Sequence, residues 1–364
     1  MPGLLSGLAF TDWIAVLRRV GFAVDAPYWL RAALLTLTSL WTSGLRRWEA
    51  RRFGAAVHVM RVAPPLFVLG HWRSGSTHLH NLLALDARAA APNLYQVLNP
   101  HTFLTTEAVV SRLLRPLLPN TRPMDNMALT LQAPQEDEFA LVVATLGSPY
   151  LGLAFYRHLA LFEPYLTFRG VADHEIIRWK AAYLTFLKKL TYKHGKPLVL
   201  KSPANTGRIG LLLEMFPDAR FVHIHRHPYT VFQSTRHLLL TLAPFIACQR
   251  VVPGDLDARI LRLYTTMYDA FFDERRLIPH GRFHEVGFED LERTPMEQMR
   301  SLYDTLRLPD FDVVKPAVER YVDSLAGYAK NVYLPLTAEL RRDIARAWRR
   351  SFTEWNYSPD DDAA

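Results

Sequence analysis

The chain has 364 residues, 49% of them hydrophobic and 21% charged, with no low-complexity tract, which excludes a disordered or fibrous protein. A formal net charge of +8 favours an anionic partner, but there is no run of five basic residues and no zinc-finger spacing, so no nucleic-acid partner is expected. The single cysteine, Cys248, excludes an intrachain disulfide or a cysteine-cluster metal site and fits a reducing, cytoplasmic setting.

Residues 1–60 read as an amphipathic helical extension without the basic region and apolar core of a signal peptide. Within it, residues 32–45 are apolar, too short to span a bilayer, and flanked by Arg31, Arg46 and Arg47. A packed helix is the first expectation there; peripheral contact with an anionic membrane through RRWEARR (residues 46–52) is the alternative. The segment APPLFVLG (63–70) is the first buried strand, a short apolar run bounded by prolines and glycine. Residues 92–165 then mix prolines with helical pieces, an irregular insertion of the kind that lines binding pockets on α/β scaffolds.

Apolar residues at three- and four-residue spacing predict a helix over 174–194. After it come a strand ending at Leu200, a helix closed by Pro217 and the strand in ARFVHIHRHP. The helix YTVFQSTRHLLL, a strand in GRFHEVGFEDL and the helix TPMEQMRSLYDTL follow. This alternation predicts an α/β domain over 61–364, a parallel sheet flanked by helices on both faces.

The chemistry begins in FVLGHWRSGSTHLHNLL, where Gly70-x4-Gly75-Ser76-Thr77 lies between the first strand and a helix. Such a loop points backbone N–H groups at one spot beside the positive end of the helix dipole, so it binds anions. A nucleoside triphosphatase would carry a lysine before the serine or threonine; here the nearest cation is Arg73, inside the loop. A second anion site is expected downstream. Arg226 stands at the carboxyl end of a strand and Ser234 lies eight residues on, in the next helix.

These motifs resemble those of the sulfotransferases that use 3′-phosphoadenosine 5′-phosphosulfate (PAPS), especially the bacterial branch related to tyrosylprotein and carbohydrate sulfotransferases. The family's loop P-[KR]-S-G-[ST]-T is similar to WRSGST, with Trp72 in place of proline. Its R-x-P followed by serine corresponds to Arg226, Pro228 and Ser234, its strand-end lysine to Lys201, and its adenine-side aromatic to Phe288 of GFEDL. By the resemblance, Arg73, Ser74, Gly75, Ser76, Thr77 and His78 belong to the nucleotide site together with Arg226, Ser234, Phe288 and Lys330. It covers residues 64–357, implies a P-loop-like fold with PAPS as co-substrate, and implies no metal. It also explains the missing lysine, since PAPS carries a phosphosulfate and a separate 3′-phosphate rather than a triphosphate bound to magnesium.

The resemblance gives Arg73 and Lys201 the task of neutralising charge during sulfuryl transfer to a small-molecule, lipid or carbohydrate acceptor. The general base is less plain. The histidine that cytosolic relatives carry two residues after the lysine is Pro203 here, and the glutamate of other branches is replaced near Gln96. Two candidates are left: His101, favoured for its sequence proximity and ordinary imidazole pKa, and the acidic run Glu136, Asp137, Glu138. The alternating His223, His225 and His227 lack an accompanying carboxylate motif and are expected to be packed rather than metal-binding. Rival readings are a nucleotide phosphotransferase on a degenerate loop and a non-catalytic nucleotide-binding protein.

Overall fold

The structure is a computed structural model, described over residues 4–114, 130–250, 254, 256–327, 331 and 333–360. The described residues form a four-stranded parallel sheet of β1 (Leu66–Leu69), β2 (Val199–Lys201), β3 (Arg220–His225) and β4 (Phe283–Gly287), in the order β2-β1-β3-β4. Every residue of β1 and β2 is buried, as strands covered on both faces must be, and all but Lys201 at the end of β2 are apolar. The order places β1 where the chain turns from one side of the sheet to the other. Open α/β sheets bind ligands outside the strand ends at such a switch point.

Helices fill both faces. The N-terminal layer is α1 (Phe10–Arg19) and α2 (Trp29–His58), followed after β1 by α3 (Ser76–Leu83). The insertion supplies α4 (Leu94–Leu98), α5 (Phe103–Leu114), α6 (Glu138–Thr145) and α7 (Leu151–Ala154), and α8 (Asp173–His194) leads into β2. Between β2 and β3 lies α9 (Ile209–Met215); α10 (Pro228–Ile246) and α11 (Leu256–Glu274) connect β3 to β4. The chain closes with α12 (Phe288–Arg293), α13 (Pro295–Thr305), α14 (Lys315–Ser324), α15 (Ala338–Ala347) and α16 (Arg349–Glu354).

The N-terminal layer joins the main core. Leu4, Leu5, Leu8, Trp13, Val16 and Leu17 are buried in the same cluster as Phe67 and Leu69 of β1. Helix α1 is fixed to α2 by Trp13 Nε1 donating to Thr36 Oγ1 (2.9 Å), and Asp12 pairs with Arg46 (3.0 Å). Glu49, buried on the inner side of α2, pairs with Lys189 of α8. The predicted helix over 174–194 matches α8 within a residue. The predicted helix closed by Pro217 is α9, preceded by a 3₁₀ turn over Pro203–Gly207, and FEDL of the predicted last strand is the start of α12.

Candidate active site

All four strands deliver functional groups at their carboxyl ends. After β1 comes the glycine loop, Lys201 is the last residue of β2, Arg226 directly follows β3, and Phe288 directly follows β4. The loop is clasped rather than free. Gly70 (φ +142°) donates its N–H to Thr206 Oγ1 (2.8 Å), and a Cβ there would fall 2.6 Å from the Ile224 carbonyl oxygen of β3. Gly75 (φ +95°) caps α3, and a Cβ there would fall 2.2 Å from the Phe288 ring. Arg73 holds a left-handed backbone (φ +70°), a strained conformation for a non-glycine residue of the kind that clusters at ligand sites.

The two anion motifs meet. Arg73 Nε donates to Ser234 Oγ (2.8 Å), and Ser234 Oγ also lies 2.8 Å from the Tyr333 hydroxyl. The Arg226 guanidinium carbon sits 4.2 Å from the centroid of the Phe288 ring, a cation–π contact. Burial draws the Arg226 pKa down, opposed by Glu289 and Glu292. His78 stacks on Tyr321 at 5.9 Å, and burial lowers its pKa too. Arg73, Gly75, Ser76, Thr77, His78, Arg226, Ser234 and Phe288 all line one cavity of about 1450 Å³. Two arginines, loop amides and hydroxyls beside an aromatic ring are a donor set suited to a nucleotide with two separated anionic groups.

A second line of contacts crosses the cavity. Trp72 Nε1 donates to the Tyr150 hydroxyl (2.7 Å), and that hydroxyl donates to Glu136 Oε2 (2.5 Å). Lys201 Nζ donates to Glu136 Oε1 (2.6 Å) and to Thr77 Oγ1 (3.2 Å). Lys201 is 1% exposed, so its ammonium is fixed among these partners. Burial and then the Glu136 charge raise the Tyr150 pKa well above that of a free phenol, so the hydroxyl stays a donor. The tryptophan that replaces the usual loop proline thus ties the phosphate loop to an acid 64 residues away in sequence.

Beyond this line the cavity has apolar walls from Leu94, Leu153, Leu238, Leu242, Ile246 and Leu263. Leu94, Leu98, Pro134, Tyr150 and Leu153 come from the 92–165 insertion, which therefore does line the cavity.

Other sequence-derived candidates lie elsewhere. His101 does not line the cavity; it is buried against the N-terminal layer, 3.9 Å from Asp12, and burial with Arg46 and Lys189 nearby lowers its pKa to about 3. The expectation that it is the base is corrected on that ground. Ser74 is fully buried and spends its hydroxyl on the His71 carbonyl (2.8 Å), shaping the turn rather than facing the cavity. Gln96 completes a capping box with Asn93 at the start of α4. Lys330 lies outside the described residues.

The acidic run divides. Glu136 faces the cavity, Asp137 hydrogen-bonds Tyr183 and Asn205 in the core, and Glu138 is fully buried against Arg208 (2.7 Å). Sequence reasoning did not find Tyr150, Tyr333 or Tyr321, whose roles depend on long-range contacts; the acidic run before an apolar helix was the one signal pointing to Glu136. His223 bonds Glu285 (2.9 Å), while His225 bonds the Tyr357 hydroxyl (2.9 Å) and stacks on Trp355. Among the described residues no group of three or more His, Cys, Asp or Glu side chains is placed to hold a metal ion.

A family model described as the sulfotransferase family matches residues 64–312, which contain the loop, Lys201, Arg226 and Phe288. The chain belongs to the sulfotransferase family. This sulfotransferase is 38% identical over 352 residues to the omega-hydroxy-beta-dihydromenaquinone-9 sulfotransferase Stf3 of Mycobacterium bovis, and equally to that of Mycobacterium tuberculosis. The match spans 96% of this chain and 90% of those proteins. Its fold matches sulfotransferase STF9 from Mycobacterium avium, with TM-score 0.69 and 18% identity over 97% of each chain. Sulfotransferase STF1 from Mycobacterium tuberculosis matches with TM-score 0.67 and 19% identity, over 93% of this chain and 91% of that one. The reaction is accordingly PAPS-dependent sulfuryl transfer on a P-loop-like fold.

Proposed function

We propose that this sulfotransferase sulfates a hydroxyl on a lipid acceptor, without a metal ion, using Glu136 as the general base. The observation that carries the reading is the Lys201–Glu136 contact at 2.6 Å, in a cavity with the phosphate loop on one side and apolar walls on the other. PAPS, held by Arg73, Gly75, Ser76, Thr77, Arg226, Ser234 and Phe288, supplies the activated sulfuryl group. An acceptor hydroxyl entering from the apolar side meets a carboxylate with unused lone pairs, because Tyr150 and Lys201 occupy one site on each oxygen. Glu136 takes the hydroxyl proton as the acceptor oxygen bonds the sulfur, the bond from sulfur to the 5′-phosphate oxygen breaks and adenosine 3′,5′-bisphosphate leaves. The loss of charge on Glu136 frees the Lys201 ammonium to neutralise charge developing on that oxygen. Arg73, bonded to Ser234, is assigned to the second anion site rather than to the reacting centre.

The acceptor class is supported by the apolar walls and by the relatives at 38% identity, whose printed name specifies a hydroxylated menaquinone derivative. A cytoplasmic working place belongs to the same proposal and agrees with a single, buried cysteine.

Kinetics of two variants test the base. Glu136→Gln should lower kcat roughly 10²- to 10⁴-fold while adenosine 3′,5′-bisphosphate still raises the melting temperature. His101→Gln should keep kcat within about threefold of wild type. A fully active Glu136→Gln variant would remove Glu136 from the mechanism.

A further inference from the structure

Helix α2 presents an apolar face that the other described residues do not cover. Its inner side buries Ser39, Glu49 and Val57. Leu30, Leu34, Leu37, Trp41 and Trp48 follow one another at three-, four- and seven-residue steps, which sets them on one side of a helix. Those five side chains are between 50% and 74% exposed. The stripe runs roughly 27 Å along the helix at 1.5 Å per residue. A contiguous run of exposed leucine and tryptophan on that scale marks an interaction surface.

Charge selects the partner. Arg31, Arg46, Arg47, Arg51 and Arg52 lie on α2, and its one acidic residue, Glu49, is buried against Lys189. Arg47, Arg51 and Arg52 are exposed, and Arg51 and Arg52 continue the stripe three and four residues past Trp48. Tryptophans on the apolar side with arginines at the rim are the composition of a helix lying in the headgroup region of an anionic bilayer. No helix among the described residues is long and apolar enough to cross a membrane.

Position links this face to the acceptor. Arg31 donates to the Pro244 carbonyl (2.8 Å) and to that of Ala247, pinning the start of α2 to the end of α10. In that part of α10, Leu242, Phe245 and Ile246 line the cavity, and Phe245 is also 46% exposed, so it stands at the rim.

We propose that the outer face of α2 seats the enzyme on an anionic membrane surface, with the α10 end of the cavity as the entrance for acceptor drawn from the bilayer. The use made of the docking rests on the lipid-acceptor reading, whereas the docking itself does not.

The test is co-sedimentation of the full-length protein with vesicles of phosphatidylcholine, alone or with roughly one-third phosphatidylglycerol. Wild type should bind the anionic vesicles at least about ten-fold more tightly than the neutral ones. Leu37→Glu combined with Trp41→Glu should lose that binding by about ten-fold or more, and Arg51→Glu with Arg52→Glu should lose the anionic preference. Retained thermal stabilisation by adenosine 3′,5′-bisphosphate shows that each variant is folded. Wild-type protein left in the supernatant with anionic vesicles overturns the proposal. So does vesicle binding that the variants do not change, or a dimer by light scattering that Leu37→Glu dissociates while vesicles bind nothing. Vesicle binding without transfer to any lipid would overturn the acceptor reading and leave the docking in place.

Discussion

Asp137 has no exposed atom, and its carboxyl sits between Tyr183 and Asn205 with Oδ1 lacking any hydrogen-bond partner. Burial pushes its pKa up to about 6, against the opposing pull of the Tyr183 hydroxyl. A carboxyl whose folded pKa lies above its unfolded value stabilises the fold below the unfolded value, near 3.8, and that contribution is lost as pH rises through about 6. The shift corresponds to about 3 kcal/mol. Asp137→Asn removes the titration and supplies an amide donor. Its melting temperature relative to wild type should therefore climb between pH 4 and pH 8, to a gain worth up to about 3 kcal/mol. A difference that stays flat with pH would show that Asp137 does not titrate in this window. Glu136, one residue away, instead contacts Lys201 and Tyr150 at the cavity, so adjacent acids differ through their surroundings.

At the scale of elements, the site is a joint between the β1–α3 loop and the first turn of α12, closed by the Phe288 ring over Gly75. Gly75→Ala would place a methyl group 2.2 Å from that ring on a backbone with φ +95°, so the ring or the loop must shift. The affinity for adenosine 3′,5′-bisphosphate, measured by calorimetry, should fall at least about ten-fold, whereas the buried sheet should keep the protein folded. Unchanged affinity would mean that the close approach of loop and ring does not shape the nucleotide site. This joint was legible in the sequence because its halves are local: a strand, a turn and a helix carry the glycines, and Arg226, Ser234 and Phe288 each follow a readable strand. The Trp72–Tyr150–Glu136–Lys201 line was not. Its successive contacts join residues 78, 14 and 65 apart in the chain, and no local periodicity couples them. His101 drew attention for lying five residues from Gln96, but α4 and α5 turn its ring toward Asp12. Sequence proximity to the expected base position therefore did not become spatial proximity to the loop.

Across the whole molecule, buried imidazoles set the response to acid. Burial lowers the pKa of His71 to about 4 and those of His80, His101 and His225 to about 3, and these four lie in the loop, α3, the turn between α4 and α5, and β3. A histidine with a depressed folded pKa contributes stability that is whole above its unfolded value, near 6.5, and is lost as pH falls toward the folded value. At pH 5 each such group costs on the order of 2 kcal/mol, and the four act in the same direction. Asp137 acts in the opposite sense and offsets about 1 kcal/mol of this at the same pH. Near-ultraviolet circular dichroism followed from pH 8 downward should hold steady to about pH 6.5 and collapse cooperatively between about pH 6 and pH 4. His101→Gln should move the midpoint to lower pH, since it removes one of the groups that must charge. Native dichroism retained at pH 4 would mean that these imidazoles reach solvent and titrate normally. That result would also remove the argument that His101 is too deeply packed to serve as a base.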